Sequence, residues 1–249
     1  MSKHAQLWLS SIAVAALMTS AGAQIWTEVG DAGDLPGTAQ DAGTVWSNPL
    51  TAITGTIASS TDVDMYRFKI TNPATFRAWT TGALADTQLW LFDEFGNALW
   101  HNDDRPGDVV QPGQGSLQSY IGPGSAAANY RQSTGANTTQ GADGSAAWWG
   151  WPTLGPGIYY IAISAYNRDP RDSGGDPVIF SPTTSPFNRI YRSDDTDPNR
   201  VVASWTGTGG TGAYTINLVS ANMVPEPASM VALGAGLVGL LGLRRRRKA

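Results

Sequence analysis

The sequence predicts an all-β fold, a β-sandwich with long loops, and three observations predict it. No stretch between Gln24 and Val224 carries a sustained helical apolar period. Segments alternating apolar and polar residues recur there instead, bounded by turn formers. Finally, 29 Gly and 15 Pro punctuate a chain whose 10 Trp, 8 Tyr and 6 Phe supply the bulk of a core. Those aromatics also exclude a wholly disordered chain, and the Gly and Pro content excludes a long coiled coil. With no cysteine, disulfides, thiolate metal sites and thiol catalysis are excluded as well.

The strands follow in order. Residues 53–57 open the sheet. In Met65-Tyr66-Arg67-Phe68-Lys69-Ile70 the alternation is strict, with Tyr66, Phe68 and Ile70 on one face. After the turn Thr71-Asn72-Pro73 comes a strand at 75–79. Residues 87–92 place Leu89 and Leu91 on one face, Asp93-Glu94-Phe95-Gly96-Asn97 turns the chain, and 98–100 returns as the hairpin partner. A β-branched and aromatic run at 158–165 follows Gly155-Pro156-Gly157. Late strands are expected at 201–205 and 213–219, the second alternating Tyr214, Ile216 and Leu218. Two stretches break the rhythm: 105–150, with one strand expected near 117–121, and 167–200. Such long connections are commonly functional or mobile.

Both ends read as addresses. Lys3, an apolar run at 7–18 and Ala21-Gly22-Ala23 form a secretory signal peptide, so residues 1–23 leave and the mature chain starts near Gln24. At the other end Val224-Pro225-Glu226-Pro227 precedes an apolar stretch at 228–243, then Arg244, Arg245, Arg246, Arg247 and Lys248. As a helix, that stretch spans roughly 24 Å, short of the ~30 Å hydrocarbon core, and its flanking cations can snorkel to make up part of the difference. Those cations favour the cytoplasmic side and leave the body outside. The division expected is a signal peptide (1–23), an N-terminal segment (24–49), the β-sandwich (50–221) and the C-terminal segment (222–249).

Removing the ends changes the charge. The whole chain is −4, whereas 24–224 holds ten basic and nineteen acidic residues, a net of −9. An acidic body argues against nucleic acid, whose phosphates need basic patches, and suits solubility outside the cell.

A Pro-Glu-Pro motif, a short apolar helix and a terminal arginine cluster, in that order, resemble the PEP-CTERM sorting signal. The resemblance covers residues 224–249. It implies processing by an exosortase, a membrane-embedded enzyme, through an inner-membrane precursor. Pro225, Glu226 and Pro227, with Arg244, Arg245, Arg246 and Arg247, would then be recognised as substrate and perform no catalysis. The two prolines keep the segment extended, as a cleavage site requires.

The body resembles a second family, the bacterial pre-peptidase C-terminal (PPC) domain. Ile53-Thr54-Gly55-Thr56-Ile57 and Asp62-Val63-Asp64-Met65-Tyr66-Arg67-Phe68 match its opening. Asp86-Thr87-Gln88-Leu89-Trp90-Leu91-Phe92-Asp93, Gly96 and Asn102-Asp103-Asp104 match its centre. Gly155-Pro156-Gly157-Ile158-Tyr159-Tyr160-Ile161 and Gly212-Ala213-Tyr214-Thr215-Ile216 match its close. That resemblance implies a jelly-roll-like sandwich without catalysis of its own. Such domains usually accompany a protease, for which this chain leaves no room.

Three groups of residues carry candidate chemistry. Asp86, Asp93, Asp103 and Asp104, with Asn102 and Asp108, sit near two strand ends and offer hard oxygen ligands for calcium; the competing reading is Asx-turns. Trp148, Trp149 and Trp151 stand within four residues, and exposed indoles stack on sugar faces; the competing reading folds them onto the sandwich. His101, the only imidazole left after signal removal, is the sole histidine for a hydrolytic triad. No nucleophile elbow, phosphate loop or zinc motif is present. The expectation is an exported, non-catalytic protein of the cell surface or extracellular matrix, structural or adhesive and linked to exopolysaccharide, with exosortase as partner and no required cofactor. The alternatives are a carbohydrate-binding module using the tryptophans and a secreted hydrolase.

Overall fold

A computed structural model of the chain describes residues 22–43, 48–107, 110–122, 131–132, 154–179, 190–192 and 201–224. Among them every regular element is a strand: β1 (Gln24–Thr27), β2 (Gln40–Asp41), β3 (Pro49–Ile57), β4 (Val63–Ile70), β5 (Arg77–Gly82), β6 (Thr87–Asp93), β7 (Ala98–Asn102), β8 (Tyr120–Ile121), β9 (Arg131–Gln132), β10 (Gly157–Ala165), β11 (Asp169–Arg171), β12 (Ile190–Arg192), β13 (Ser204–Thr206) and β14 (Gly212–Asn222). Twelve of them join in one hydrogen-bonded sheet ordered β1-β3-β14-β4-β10-β6-β7-β12-β9, with β2 on β4 and β5 and β8 branching from β14. β11 and β13 pair separately.

β14 holds the architecture together. Its first part pairs with β3 on one side and β5 on the other, and its last residues, Ala221 and Asn222, pair with β4. The register slips between Asn217 and Ala221, and Ser220 takes a left-handed φ of 60°. Such a bulge bends a strand and re-aims it. It is held in place by Thr71, whose N–H and hydroxyl both donate to the Ser220 carbonyl at 2.9 and 3.0 Å.

The main core draws on both sides of that bend: Leu50, Ile53 and Ile57 of β3 with Ile216 and Leu218 of β14, and Tyr66, Phe68 and Ile70 of β4 with Leu89 and Leu91 of β6. A second core lies on the opposite face of the middle strands. It holds Val63 and Met65 of β4, Trp90 and Phe92 of β6, Tyr160 and Ala162 of β10, and Trp205 of β13. β6 and β10 are therefore apolar on both faces, which is why their sequences run nearly unbroken in apolar residues, whereas β4 adds only Val63 and Met65 to the second core before Arg67 and Lys69 alternate outward.

The expected strands at 53–57, 65–70, 87–92, 158–165 and 213–219 all lie within observed ones. The strand expected at 75–79 starts two residues later, at Arg77, because Asn72 to Thr75 form a turn in which the Asn72 side chain accepts from the Ala74 N–H at 3.1 Å. The short strands β1, β2, β11 and β12 carry too few residues to show a period. β1 and β2 belong to the 24–49 segment, and both add to the sheet in parallel, on β3 and β4.

Candidate functional site

Hairpin geometry brings Asp86, Asp103 and Asp104 to one place. β6 and β7 run antiparallel with Leu89 opposite Asn102, so the residue before β6 and the two after β7 share one end of the hairpin. One carboxylate oxygen from each of the three lies within 4.8 Å of the others. Asp93 is at the opposite end of β6. Its Oδ1 accepts the N–H groups of Phe95 and Asn97 at 2.9 and 2.8 Å, and its Oδ2 accepts from Asn97 Nδ2 at 2.8 Å. Asp93 therefore closes the turn that sets the hairpin register. Asn102 is structural too: Nδ2 donates to the Asp104 carbonyl at 2.7 Å, and Oδ1 accepts the Tyr120 N–H at 2.6 Å. Asp108 lies outside the described residues.

The three acids are not a solvated cluster. Asp103 is only 1% exposed. Both of its carboxylate oxygens, and Oδ1 of Asp86, are buried without a hydrogen-bond partner among the described residues. Burial pushes the Asp103 carboxyl up to about 8, reinforced by the charges of Asp104, Asp86 and Asp169. Burial and the charge of Asp104 push Asp86 up to about 6, and burial raises Asp104. Each added influence is another carboxylate, so the site concentrates negative charge. Its walls are fixed by backbone: Tyr166 N–H to the Asp86 carbonyl at 3.2 Å, Thr87 N–H to Leu117 O at 3.1 Å, and Arg105 N–H to Gln118 O at 2.9 Å.

A second acidic group, Glu28, Asp31 and Asp64, escaped the sequence reading. The signal for it was present. Asp64 shares its strand face with Tyr66, Phe68 and Ile70, an acid in apolar register, and it is fully buried. The Tyr214 hydroxyl donates to Asp64 Oδ2 at 2.6 Å and sits 2.6 Å from the Tyr66 hydroxyl. Gly55 permits this packing, because a Cβ there would come within 2.6 Å of Glu28 Oε2 and closer still to the Tyr214 hydroxyl. Burial pushes Asp64 up to about 8, opposed by the bond from Tyr214 and reinforced by Glu28 and Asp62. One carboxylate oxygen each of Glu28, Asp31 and Asp64 lies within 4.8 Å of the others. Asp64 Oδ1 is buried without a hydrogen-bond partner among the described residues, so this acid-tyrosine relay beside the N-terminal segment is only partly satisfied.

The relay sets a pH dependence. The Asp64 carboxyl stands at about 8 in the fold against an ordinary 3.8. Between those values the folded chain keeps a proton that the unfolded chain has released, so this group's contribution to stability is full below about pH 4 and declines towards pH 8. Asp64→Asn is expected to remove up to one proton's worth of that slope. Denaturant melts of both proteins from pH 4 to 9 check it, and parallel pH profiles would sink it.

His101 is fully buried. It stacks on Trp90 with ring centroids 3.6 Å apart and faces Tyr191 at 6.1 Å. Trp148, Trp149 and Trp151 lie outside the described residues, as do Pro225, Glu226, Pro227 and Arg244 to Arg247. No helix among the described residues is long and apolar enough to cross a membrane, and both expected helices, the signal helix and the apolar stretch at 228–243, fall outside them. The body is described up to Val224, which is fully buried and donates its N–H to the Ala42 carbonyl at 3.3 Å.

Compared with known families, residues 224–247 match the PEP-CTERM protein-sorting motif. That motif implies export through a membrane-anchored precursor and sorting by an exosortase. No curated protein matches the chain.

Proposed function

We propose that this protein is a structural or adhesive component of the cell surface or extracellular matrix, linked to exopolysaccharide and released from the inner membrane by an exosortase. The observation that carries the reading is the sorting motif at 224–247, attached to an acidic β body. The body is read as a jelly-roll-like sandwich similar to PPC domains. Its support is the core shared across the β14 bend and the order of the matching segments. A non-catalytic role is supported by the position of His101, enclosed by Trp90 and Tyr191 within a packed ring stack. A general base needs reach to a substrate proton, which a fully buried ring does not offer.

Cell fractionation tests the reading. In a host carrying an exosortase, the mature protein is expected in the exopolysaccharide fraction and to be freed by a polysaccharide-degrading enzyme. Recovery as freely soluble protein in the medium, unaffected by that enzyme, would overturn it.

The alternative, a carbohydrate-binding module, rests on the three indoles at Trp148, Trp149 and Trp151. If those rings stack on sugar, Trp148→Ala and Trp151→Ala each lower affinity for the host polysaccharide by about tenfold or more, in line with an aromatic contact of about 1–3 kcal/mol. Retention of full affinity in the double variant would remove this reading.

A further inference from the structure

We propose that Asp86, Asp103 and Asp104 bind a hard divalent cation of the calcium class, which ties together the two ends of the β6–β7 hairpin segment. The inference is independent of the export reading and stands on the geometry of the site.

The decisive group is Asp103. Its carboxylate is almost wholly removed from solvent, and neither oxygen has a hydrogen-bond partner among the described residues. A buried carboxylate without partners is costly, and something must compensate it. Protonation compensates poorly. It would remove the charge but create a buried O–H donor, and it would leave the other oxygen unpaired. Asp64 differs in one respect: its Oδ2 receives a hydrogen bond from the Tyr214 hydroxyl, although its Oδ1 also lacks a partner among the described residues. Nothing comparable acts on Asp103, whose neighbours influence it only through charge.

A cation resolves all three acids together. Carboxylate oxygens converging within 4.8 Å place a metal at ordinary calcium–oxygen distances of about 2.3–2.6 Å from each. The donor set is all oxygen, with no imidazole or thiolate in the cluster, which selects a hard cation over zinc or copper. Asp169 adds to the field at Asp103 and brings a fourth negative charge towards the site. Three carboxylates from two loops, completed by water, suit the weak affinities of extracellular calcium modules, with Kd of order 10⁻⁴–10⁻³ M.

The placement gives the cation a structural task. Asp103 and Asp104 begin the connection that leaves β7, and the Asp86 backbone carbonyl accepts from the N–H of Tyr166, which begins the three-residue turn between β10 and β11. The connection after β7 and the short turn after β10 therefore both border the site. Binding would hold their roots together once the chain reaches a calcium-rich exterior.

The test uses the full chain purified in detergent and stripped with chelator. Thermal melts are recorded with Ca²⁺ and with chelator for the wild type, Asp103→Asn and Asp64→Asn. At about a hundredfold excess over Kd, Ca²⁺ is expected to raise the wild-type melting temperature by about 5–10 °C. Asp103→Asn is isosteric and removes a buried charge, so it is expected to fold and to lose the shift. Asp64→Asn, at the other acidic group, is expected to keep it. Limited proteolysis between residues 105 and 122 should slow with Ca²⁺ in the wild type and not in Asp103→Asn. Identical wild-type melts with calcium and chelator would overturn the proposal. So would a shift that survives Asp103→Asn, or one lost only in Asp64→Asn, which would place the ion at Glu28, Asp31 and Asp64.

Discussion

Trp90→Ala is expected to cost the body about 3–5 kcal/mol, the range for deleting a large buried aromatic. Trp90 is fully buried at the centre of the second core. Its ring lies against His101 at 3.6 Å and meets Trp205 edge-on at 5.8 Å. Its Nε1 donates to Ser164 Oγ at 3.1 Å, linking β6 to β10. Removing the indole leaves a cavity between two strands and removes one hydrogen bond to Ser164, whose hydroxyl still donates to the Arg168 carbonyl at 3.0 Å. For a body of about 200 residues that loss lowers the melting temperature by roughly 10 °C. Trp90→Phe keeps most of the volume and loses the hydrogen bond, so its cost should be markedly smaller. Thermal and denaturant melts read both. A cost for Trp90→Ala below about 1 kcal/mol, the ordinary value for a single hydrogen bond, would contradict the packing of the second core.

Glu226→Ala is expected to abolish most release and to accumulate an inner-membrane precursor. Glu226 is the one charged residue of the Pro-Glu-Pro motif, and it follows the last described residue, Val224, by two positions in the sequence. A protease reads such a site as extended backbone with a few fixed side chains, and losing the single carboxylate removes an interaction that only a cognate pocket rewards. Immunoblots of membrane and extracellular fractions separate precursor from released protein. Normal release of the variant would sink the sorting reading. A drop in both forms would mark a folding defect instead, and the melting temperature of the variant distinguishes the two.

The middle strands show how far local pattern reaches. Alternation in Met65 to Ile70 identified Tyr66, Phe68 and Ile70 as a core face, and all three lie in the main core. It could not reveal that Met65, on the other face, is also buried, because the second core is closed by Trp205, over a hundred residues away. The acidic site was legible for a similar reason and to a similar extent. Asp86, Asp103 and Asp104 were visible as loop acids near strand ends, and the hairpin made from the Asp93 turn carries them together. Which acid is consumed by the turn depends on hydrogen bonds that form only once Asn97 folds back on Asp93. The Asp64 relay was hidden because its partners, Glu28 and Tyr214, are far off in sequence.

By itself the sequence determined an all-β, cysteine-free acidic body and a sorting tail, since these follow from composition, from residues two apart, and from an ordered motif at the chain's end. Only the tertiary structure decided which carboxylates meet, which are deprived of water, and that β6 and β10 are buried on both faces. The physical reason is range. Side-chain alternation is a property of neighbouring residues, whereas burial and charge proximity arise from strand pairings that close long stretches of chain, such as β14 against β3 and β4.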